Sequence, residues 1–320
     1  MNRVAVIGAG AWGTALAIQA VRAGSQVTLW ARDPARAAAI AASRENPRLP
    51  GFRLPDAVSV TAVLPTAADA MLLTVPMQHL RGVLARLAPG PTPLVVCAKG
   101  VESGTLRLPL ELVAELHPDA PALVLTGPNF AHEIAAGLPA ASVVAGADAV
   151  LRERVTALLA TSTFRLYGND DAIGAQVGGA AKNVIAIAAG AVIGAGLGEN
   201  ARAALITRGL AELSRLAVAL GGRAETVAGL SGLGDLLLTC TGKSSRNYSL
   251  GLALGRGEAL GDILAAREAV TEGVATAPAL VARAAGVDMP ICAAVAALVQ
   301  GRTTLQAAMA ALLARPRRDE

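Results

Sequence analysis

The chain has 320 residues, 53% of them hydrophobic and 16% charged, which excludes a disordered chain and is long enough for two domains. Its formal net charge is +4, from 28 basic and 24 acidic side chains, and aromatic residues make up only 2%. This mild basic excess and the scarcity of stacking side chains argue against a nucleic-acid partner and favour a small phosphorylated ligand.

Short apolar runs alternate with helical stretches in the first half of the chain. Most of these runs are apolar throughout, as in strands that are buried on both faces of a parallel sheet. With helices between them, they predict a doubly wound α/β domain. The predicted strands cover residues 4–8, 26–30, 70–75, 94–97, 123–126 and 142–145, and residues 43–56, with three prolines and a glycine, are predicted to form an extended loop.

A glycine-rich turn follows the first predicted strand and precedes a helix predicted over residues 14–23. Gly8, Gly10 and Gly13 form a G-x-G-x-x-G pattern within a β-α-β unit. In this context Gly8 allows the tight turn, Gly10 lets the backbone approach a pyrophosphate, and Gly13 lets the helix pack on the strand. Because the helix N-terminus presents unpaired N–H groups to the anion, the sequence predicts a dinucleotide site.

The end of the second predicted strand bears on which dinucleotide binds. Asp33 lies twenty residues after Gly13, where a carboxylate favours the free 2′-hydroxyl of NAD, while the neighbouring Arg32 can hold the 2′-phosphate of NADP. We therefore predict that NADP(H) is accepted and that NAD(H) is usable. The alternative for Asp33 is a cap of the turn before Pro34.

The character of the sequence changes near residue 170, beyond which helical periodicity dominates. We predict a dinucleotide-binding Rossmann domain over residues 1–170 and an all-helical, substrate-binding domain over residues 171–320. The longest candidate for a membrane-spanning segment, residues 183–198, is shorter than the ~20 residues that such a helix needs, and the glycines near the N-terminus argue against an export signal. We expect a soluble, cytoplasmic protein without integral membrane association.

Lysine is rare among the 28 basic residues and occurs at three positions, Lys99, Lys182 and Lys243. So few ammonium groups suggest positions where a guanidinium cannot replace a compact, titratable amine. Lys182 and Asn183 lie in an apolar, glycine-rich helix predicted over residues 172–195, where a buried charge needs a partner or a ligand. Gly178 and Gly179 would let that ligand approach the backbone; the alternative is that Lys182 extends to solvent.

Further polar residues follow in the second half of the chain. Asp235 and Thr239 are four residues apart after a glycine turn, so they share one face of a helix. A capping role alone is the alternative for Asp235. The polar loop over residues 243–247 carries donors suited to a phosphate, with Arg246 able to make a bidentate contact. Lys99 follows a predicted strand at the carboxyl edge of the sheet, where ligands of α/β proteins bind.

Together these residues predict the reduction of a carbonyl group. Hydride would come from the cofactor, and the developing alkoxide needs a proton from a positioned acid. Burial and the charge of Lys99 would lower the pKa of Lys182, and the opposite charge of Asp235 would raise it again, which suits Lys182 to that role. His132 lies in a helical run and is interpreted as a surface or cofactor-edge residue.

The cysteines are scattered at Cys97, Cys240 and Cys292 and form no Cys-x-x-Cys pair. This pattern predicts neither a disulfide framework nor a zinc site. With only three histidines in the chain, no metal centre is expected.

The motifs in their order resemble those of the bacterial NAD(P)-dependent glycerol-3-phosphate dehydrogenases, from Val4 to about Arg315. The resemblance implies reversible reduction of dihydroxyacetone phosphate to sn-glycerol 3-phosphate with NADP(H) and/or NAD(H), which supplies phospholipid synthesis. It rests on residues 8–13 (GAGAWG), 46–51 (NPRLPG), 98–102 (AKGVE), 127–131 (GPNFA), 178–186 (GGAAKNVIA), 207–212 (TRGLAE), 232–235 (GLGD), 238–241 (LTCT), 245–247 (SRN) and 270–273 (VTEG).

The resemblance also implies roles for individual residues, with Lys182 as the proton donor and acceptor. It implies substrate contacts by Lys182 and by Lys99, Gly127, Asn129, Asn183, Asp235, Thr239, Ser245, Arg246 and Asn247. To the turn residues Gly8, Gly10 and Gly13 it adds the cofactor contacts Ala11, Trp12, Arg32, Lys99, Ala131, Arg246, Val270 and Glu272. Asn129 stands where the family commonly has Ser or Thr, and Ser231 replaces a usual Ala.

Two other functions fit parts of the sequence. A dehydrogenase of the 3-hydroxyacid or 6-phosphogluconate type also places a lysine in a glycine-rich helix, but predicts a carboxylate substrate, whereas residues 244–247 and 207–209 favour a phosphorylated one. A catalytically silent redox sensor would have lost the polar set of Lys182, Asp235 and Arg246. We therefore expect an enzyme that acts on a small molecule, and the resemblance implies a homodimer.

Overall fold

The structure is a computed structural model that describes residues 2–242, 244–267 and 270–316. It divides into two compact units. The first unit comprises Met1–Lys99 and Arg107–Gln176, and the second comprises Gly100–Leu106 and Val177–Glu320. The predicted ranges are 1–170 and 171–320. In the structure the boundary lies six residues later, after Gln176, and the segment Gly100–Leu106 also belongs to the second unit.

Eight strands form the sheet of the first unit: β1 (Arg3–Ile7), β2 (Gln26–Trp30), β3 (Val58–Thr61), β4 (Ala70–Leu73), β5 (Leu94–Val96), β6 (Ala122–Thr126), β7 (Ala140–Ala145) and β8 (Phe164–Asn169). Their order in the sheet is β3-β2-β1-β4-β5-β6-β7-β8. The pairings among β1 to β6 are parallel, β7 runs antiparallel to β6, and β8 is parallel to β7. The sheet is thus mostly parallel, as predicted, but not entirely so.

The two edge strands β3 and β8 are absent from the predicted set. β3 reads Val-Ser-Val-Thr and β8 reads Phe-Arg-Leu-Tyr-Gly-Asn, and both are only partly buried. An edge strand that faces water does not need a continuous apolar run, which is the signal that identified the central strands.

Helices cover both faces of this sheet: α1 (Ala11–Arg22), α2 (Pro34–Ser43), α3 (Met77–Leu84), α4 (Pro109–Leu116), α5 (Ala131–Ala136) and α6 (Ala149–Ala157). Successive residues of β1 point to opposite faces. Val4 and Val6 pack into a core with α1, α2, α5 and α6, whereas Ala5 and Ile7 pack into a second core with α3 and α4. This arrangement confirms the doubly wound α/β fold.

The described residues of the second unit contain helices and connecting segments but no strand, which confirms the predicted all-helical C-terminal domain. After the earlier segment Gly100–Leu106, the chain enters this unit again within α7 (Ala172–Gly194), between Gln176 and Val177. A π-helical turn, Leu230–Gly234, precedes α10. The remaining helices are α8 (Gly198–Ala219), α9 (Ala224–Ala228), α10 (Asp235–Thr241), α11 (Arg246–Gly255), α12 (Leu260–Ala265), α13 (Glu272–Arg283), α14 (Pro290–Val299) and α15 (Leu305–Leu313).

α7 is long and apolar enough to cross a membrane, with a mean hydropathy of 1.6 over its most apolar window. However, 83% of that window is buried inside the protein. The composition of α7 is therefore that of a core helix in this fold.

α7 and α11 pack backbone against backbone through glycines at i, i+4 spacing on each helix: Gly190 and Gly194 on α7, and Gly251 and Gly255 on α11. A Cβ on Gly251 would lie 1.9 Å from the carbonyl oxygen of Ile187, and one on Gly190 would lie 2.1 Å from that of Tyr248. Real Cβ atoms do not approach so closely, so any larger residue must push the two helices apart. We call these four residues the glycine contact.

Glu212 joins α8 to α14. This side chain is buried, and its carboxylate accepts the backbone N–H groups of Ile291 at 2.6 Å and Cys292 at 3.1 Å, in the first turn of α14. Burial raises the pKa of the Glu212 carboxyl above its ordinary value, while the two backbone hydrogen bonds act in the opposite direction. A carboxylate at this position satisfies N–H groups that the helix itself leaves unpaired.

Candidate active site

The glycine turn predicted from the sequence joins β1 to α1. Gly8 has a φ of +127°, which favours glycine, and a Cβ on Gly13 would lie 1.9 Å from the carbonyl oxygen of Gly8. No atom of the described residues lies within 4 Å of the Cβ position of Gly10. Gly10 is also the N-cap of α1, and no side chain in the described part of the chain caps that helix. The turn therefore leaves space at Gly10, next to the unpaired N–H groups in the first turn of α1. This arrangement fits the pyrophosphate of a dinucleotide.

Asn46 supports this turn and is not among the predicted site residues. The side chain is fully buried, and its Nδ2 donates to the carbonyl oxygen of Ala9 at 3.1 Å and to the Thr14 hydroxyl at 2.6 Å. Arg36 Nη2 donates to the same Ala9 oxygen and to Asn46 Oδ1, each at 3.1 Å. Asn46 lies in one of the family-like motifs, but only these tertiary contacts reveal what it holds.

Arg32 and Asp33 lie just after β2, separated from its last residue, Trp30, by Ala31. Asp33 is the N-cap of α2, and its Oδ1 accepts the backbone N–H groups of Ala35 at 2.9 Å and Arg36 at 3.4 Å. The capping alternative for Asp33 therefore holds in the structure. Arg32 is exposed, and it has no hydrogen bond or ion pair with another described residue.

Three predicted substrate contacts lie together at the ends of β5 and β6. Lys99 Nζ donates to the carbonyl oxygen of Gly127 at 3.2 Å. Gly127 has a φ of +138°, and a Cβ there would lie 3.0 Å from the Cα of Ser142. Asn129 Nδ2 donates to the Ser142 hydroxyl at 2.5 Å, and its Oδ1 is buried without a hydrogen-bond partner among the described residues.

Cys97 lies next to two of the predicted cofactor residues. Burial raises the pKa of its thiol to about 12, against the opposing effects of the Lys99 charge and of a hydrogen bond with Trp12.

Ala11 and Ala131 are the first residues of α1 and α5. His132 is exposed, and its ring stacks on Phe130 with the ring centroids 5.8 Å apart.

In the second unit, Lys182 donates from Nζ to the carboxylate of Asp235. The side chains of this ion pair are 10% and 1% exposed. The alternative that Lys182 extends to solvent is therefore wrong. The alternative that Asp235 only caps a helix is wrong as well, because its carboxylate pairs with Lys182. The Thr239 hydroxyl donates to the Asp235 carbonyl oxygen at 2.6 Å, one helical turn back, as the spacing predicts.

Gly178 has a different role from the predicted approach of a ligand. A Cβ there would lie 2.5 Å from the carbonyl oxygen of Ser231 and 2.9 Å from the Cα of Gly232. Gly178 therefore lets α7 pack directly on the π-helical turn. Because that turn leads into α10, the close contact places Asp235 beside Lys182.

The side-chain amides of Asn183, the residue after Lys182, and of Asn247 have their orientation set by one backbone group. The N–H of Gly273 can only donate, and it donates to Asn247 Oδ1 at 2.9 Å. Asn247 Nδ2 consequently faces Asn183 and donates to its Oδ1, also at 2.9 Å. Asn183 Nδ2 is then left as a buried donor without a partner among the described residues. Such a donor fits an oxygen of a bound ligand.

The start of α11 gathers several of the remaining predicted residues. Ser245 is its N-cap, and the hydroxyl accepts the backbone N–H of Tyr248 at 3.2 Å. Arg246 is exposed and donates from Nη1 to the carbonyl oxygen of Val270 at 2.8 Å, two residues before α13 begins at Glu272. Lys243, which the sequence places in the same loop, lies outside the described residues.

The other cysteines are buried as well. Burial raises the pKa of Cys240 to about 12 and that of Cys292 well above the ordinary range. At neutral pH both groups are therefore thiols rather than thiolates, so neither is suited to nucleophilic chemistry.

Comparison with known proteins identifies the family. The N-terminal model of NAD-dependent glycerol-3-phosphate dehydrogenase matches residues 3–151, and the C-terminal model of the same enzyme matches residues 171–310. The glycerol-3-phosphate dehydrogenase [NAD(P)+] of Acidiphilium cryptum is 60% identical over 318 residues, which cover 99% of this chain and 98% of the relative. That of Gluconobacter oxydans is 54% identical and covers 98% of this chain and 97% of the relative.

A solved structure shows the same likeness in three dimensions. The crystal structure of glycerol-3-phosphate dehydrogenase from Coxiella burnetii superimposes with a TM-score of 0.94 at 37% sequence identity, covering 98% of this chain and 99% of that one. Both halves of the chain thus match the same family in sequence, and the whole chain matches it in fold. The chain belongs to the family of NAD-dependent glycerol-3-phosphate dehydrogenases.

Proposed function

We propose that this enzyme interconverts dihydroxyacetone phosphate and sn-glycerol 3-phosphate, with NADP(H) or NAD(H) as the cofactor. The observation that carries the proposal is the buried Lys182–Asp235 ion pair. The same unit contains the Asn183 amide donor, which has no partner among the described residues, and the N-terminus of α11 with Arg246. The product, sn-glycerol 3-phosphate, would supply glycerophospholipid synthesis.

The first unit provides the cofactor site. The open turn at Gly10 and the uncapped N-terminus of α1 would hold the pyrophosphate. Arg32 follows the second strand, where proteins of this fold bind the adenosine ribose. Bound NAD(P)H supplies the hydride. Trp12, Lys99 and Ala131, with Arg246, Val270 and Glu272 of the second unit, remain predicted cofactor contacts.

Lys182 would hold the proton that the substrate carbonyl oxygen receives during reduction. Its ammonium is almost completely shielded from water, and the Asp235 carboxylate fixes the position of Nζ. A donor that is held before substrate arrives needs no reorganisation when negative charge develops on the oxygen. In the reverse direction the same amine would accept the proton of the hydroxyl group.

The neighbouring residues would bind the rest of the substrate. Asn183 Nδ2 is a buried donor without a protein acceptor, which suits a substrate oxygen next to the reacting carbon. Ser245, Arg246 and Asn247 form the start of α11, where free backbone N–H groups and the Arg246 guanidinium attract a phosphate. Thr239 would act through Asp235, to whose carbonyl oxygen it is bonded. Lys99, Gly127 and Asn129 remain predicted substrate contacts of the first unit.

The proposal is tested by following NADPH absorbance with purified enzyme and dihydroxyacetone phosphate. We expect rapid oxidation, and the reverse reaction with sn-glycerol 3-phosphate and NADP⁺. The matched controls are dihydroxyacetone, which lacks the phosphate, and 3-oxoacids, which offer a carboxylate instead. Turnover of the 3-oxoacids but not of the phosphorylated ketone would assign the enzyme to the 3-hydroxyacid type, and NADPH binding without any turnover would favour a redox sensor.

We also propose that the enzyme is a cytoplasmic homodimer. Three buried cysteines that remain free thiols support a reducing compartment, and the family resemblance supports the dimer. Light scattering during gel filtration should give twice the mass of one chain.

A further inference from the structure

A positively charged side chain, Arg36, lies beside the glycine turn, shortly after the end of β2. Arg36, in the first turn of α2, is only partly exposed, and its guanidinium is held in place by two neutral acceptors, the carbonyl oxygen of Ala9 and Asn46 Oδ1. Among the described residues, no carboxylate lies within ion-pair distance of it, and Nε and Nη1 make no hydrogen bond. A fixed cation that the protein does not neutralise attracts an anionic ligand.

The charges around Arg36 strengthen this attraction. Arg48 lies close enough for its positive charge to lower the pKa of Arg36, in addition to the larger effect of burial, and Asp33 is the opposing charge. One oxygen of the Asp33 carboxylate already accepts two backbone N–H groups of α2. Arg32 immediately precedes Asp33 in the chain, so a further arginine adjoins this partly engaged carboxylate.

We propose that Arg36 binds the 2′-phosphate of NADP(H) and makes the enzyme prefer NADP(H) over NAD(H). In this fold the adenosine ribose lies between the end of the second strand and the glycine turn, and Arg36 bonds directly to that turn. A planar guanidinium with free Nε and Nη1 can bind a phosphate through two parallel hydrogen bonds. Arg32 is exposed and unanchored, so Arg36 carries the larger part of the discrimination. The inference deepens the proposed function and rests on it.

Adenosine 2′,5′-bisphosphate and AMP test the proposal without turnover, because they differ only in the 2′-phosphate. Calorimetry should show that wild-type enzyme binds the bisphosphate more tightly than AMP. Arg36→Gln, whose amide can still donate to the Ala9 oxygen, should weaken bisphosphate binding by about tenfold or more and leave AMP binding within roughly twofold. Arg36→Lys should keep part of the preference, since it keeps the charge. Arg154→Gln, on an exposed arginine of α6, is the matched control.

The corresponding kinetic result is a tenfold or greater fall in kcat/KM for NADPH in Arg36→Gln, with that for NADH nearly unchanged. An equal loss for both nucleotides would overturn the proposal, because Arg36 would then only support the turn. No loss in Arg36→Gln but a full loss in Arg32→Gln would overturn it as well. If the wild type reduces dihydroxyacetone phosphate with neither cofactor, the proposed function fails, while the binding comparison still decides the role of Arg36.

Discussion

Lys182 on α7 and Asp235 at the start of α10 form an ion pair whose side chains are almost completely removed from water. Two glycines make this pair possible. Gly178 lets α7 approach the π-helical turn, and Gly232 lets the same turn pack on α9, because a Cβ on Gly232 would lie 1.9 Å from the carbonyl oxygen of Val227. The ion pair therefore depends on close backbone packing in regions that carry no charge of their own.

Replacing Lys182 by Met should remove the reaction. The variant keeps the length of the side chain but loses the group that would move the proton, so kcat with dihydroxyacetone phosphate should fall by roughly 10²–10⁴-fold. NADPH binding, measured by fluorescence, should be unchanged. Activity within tenfold of wild type would place the acid elsewhere in the site.

Breaking only one side of the ion pair should destabilise the protein more than replacing both sides. Asp235→Leu leaves the Lys182 ammonium buried, and Lys182→Met leaves the carboxylate buried, so each should cost about 3–5 kcal/mol of unfolding free energy. The Lys182→Met/Asp235→Leu variant should recover much of that loss. Urea unfolding followed by circular dichroism checks the order of the midpoints; additive losses would show that the two groups do not interact.

Much of this architecture could be predicted from the sequence. The continuous apolar runs identified the central strands, and the glycine turn and Lys182 stood out because a specific chemistry demands those residues. The edge strands β3 and β8 were missed because half-exposed strands lack such runs. The direction of β7 could not be predicted, since an apolar pattern is the same in either direction.

Some features of the site depend on tertiary contacts that no local pattern contains. Asn46 and Arg36 meet at the Ala9 carbonyl oxygen although they lie on different segments. Asn183 and Asn247 are far apart in the chain, and their orientation is set by Gly273. Gly178 was misinterpreted because a glycine that allows close helix packing looks, in sequence, like one that allows a ligand to approach.

Adding one methyl group at the glycine contact should impair both stability and substrate affinity. Gly251→Ala places a Cβ against the backbone of α7, at a cost of about 1–3 kcal/mol, and displaces Asn247 from Asn183. The KM for dihydroxyacetone phosphate should rise accordingly. Gly261→Ala, on α12 with open space around it, is the matched control and should change stability by less than about 1 kcal/mol. Equal behaviour of the two variants would contradict the tight contact.

Glu212 should give the enzyme a pH-dependent stability. Its folded-state pKa lies above the ordinary value of 4.5, so the folded protein binds the proton more tightly than the unfolded chain does. The contribution of Glu212 to the unfolding free energy therefore falls as pH rises through the range just above 4.5. Glu212→Gln removes this titration and, by presenting an amide NH₂ to a backbone N–H, costs about 1–3 kcal/mol.

The measurement compares the melting temperatures of wild type and Glu212→Gln at several pH values from mildly acidic to neutral. The difference between them should narrow as pH rises. A difference that widens would mean that the two backbone hydrogen bonds outweigh burial and that the Glu212 pKa is lowered.

The short segment Gly100–Leu106 has a consequence for how the enzyme can be divided. It belongs to the second unit although the chain on both sides of it belongs to the first, so the chain passes between the units three times. Val101 and Glu102 are buried within this segment. A fragment that ends at Gln176 would separate this segment from the rest of the second unit, and a fragment that starts at Val177 would lack the segment. The nucleotide-binding half is therefore not separable by a single cut, and its cofactor preference has to be measured on the whole chain.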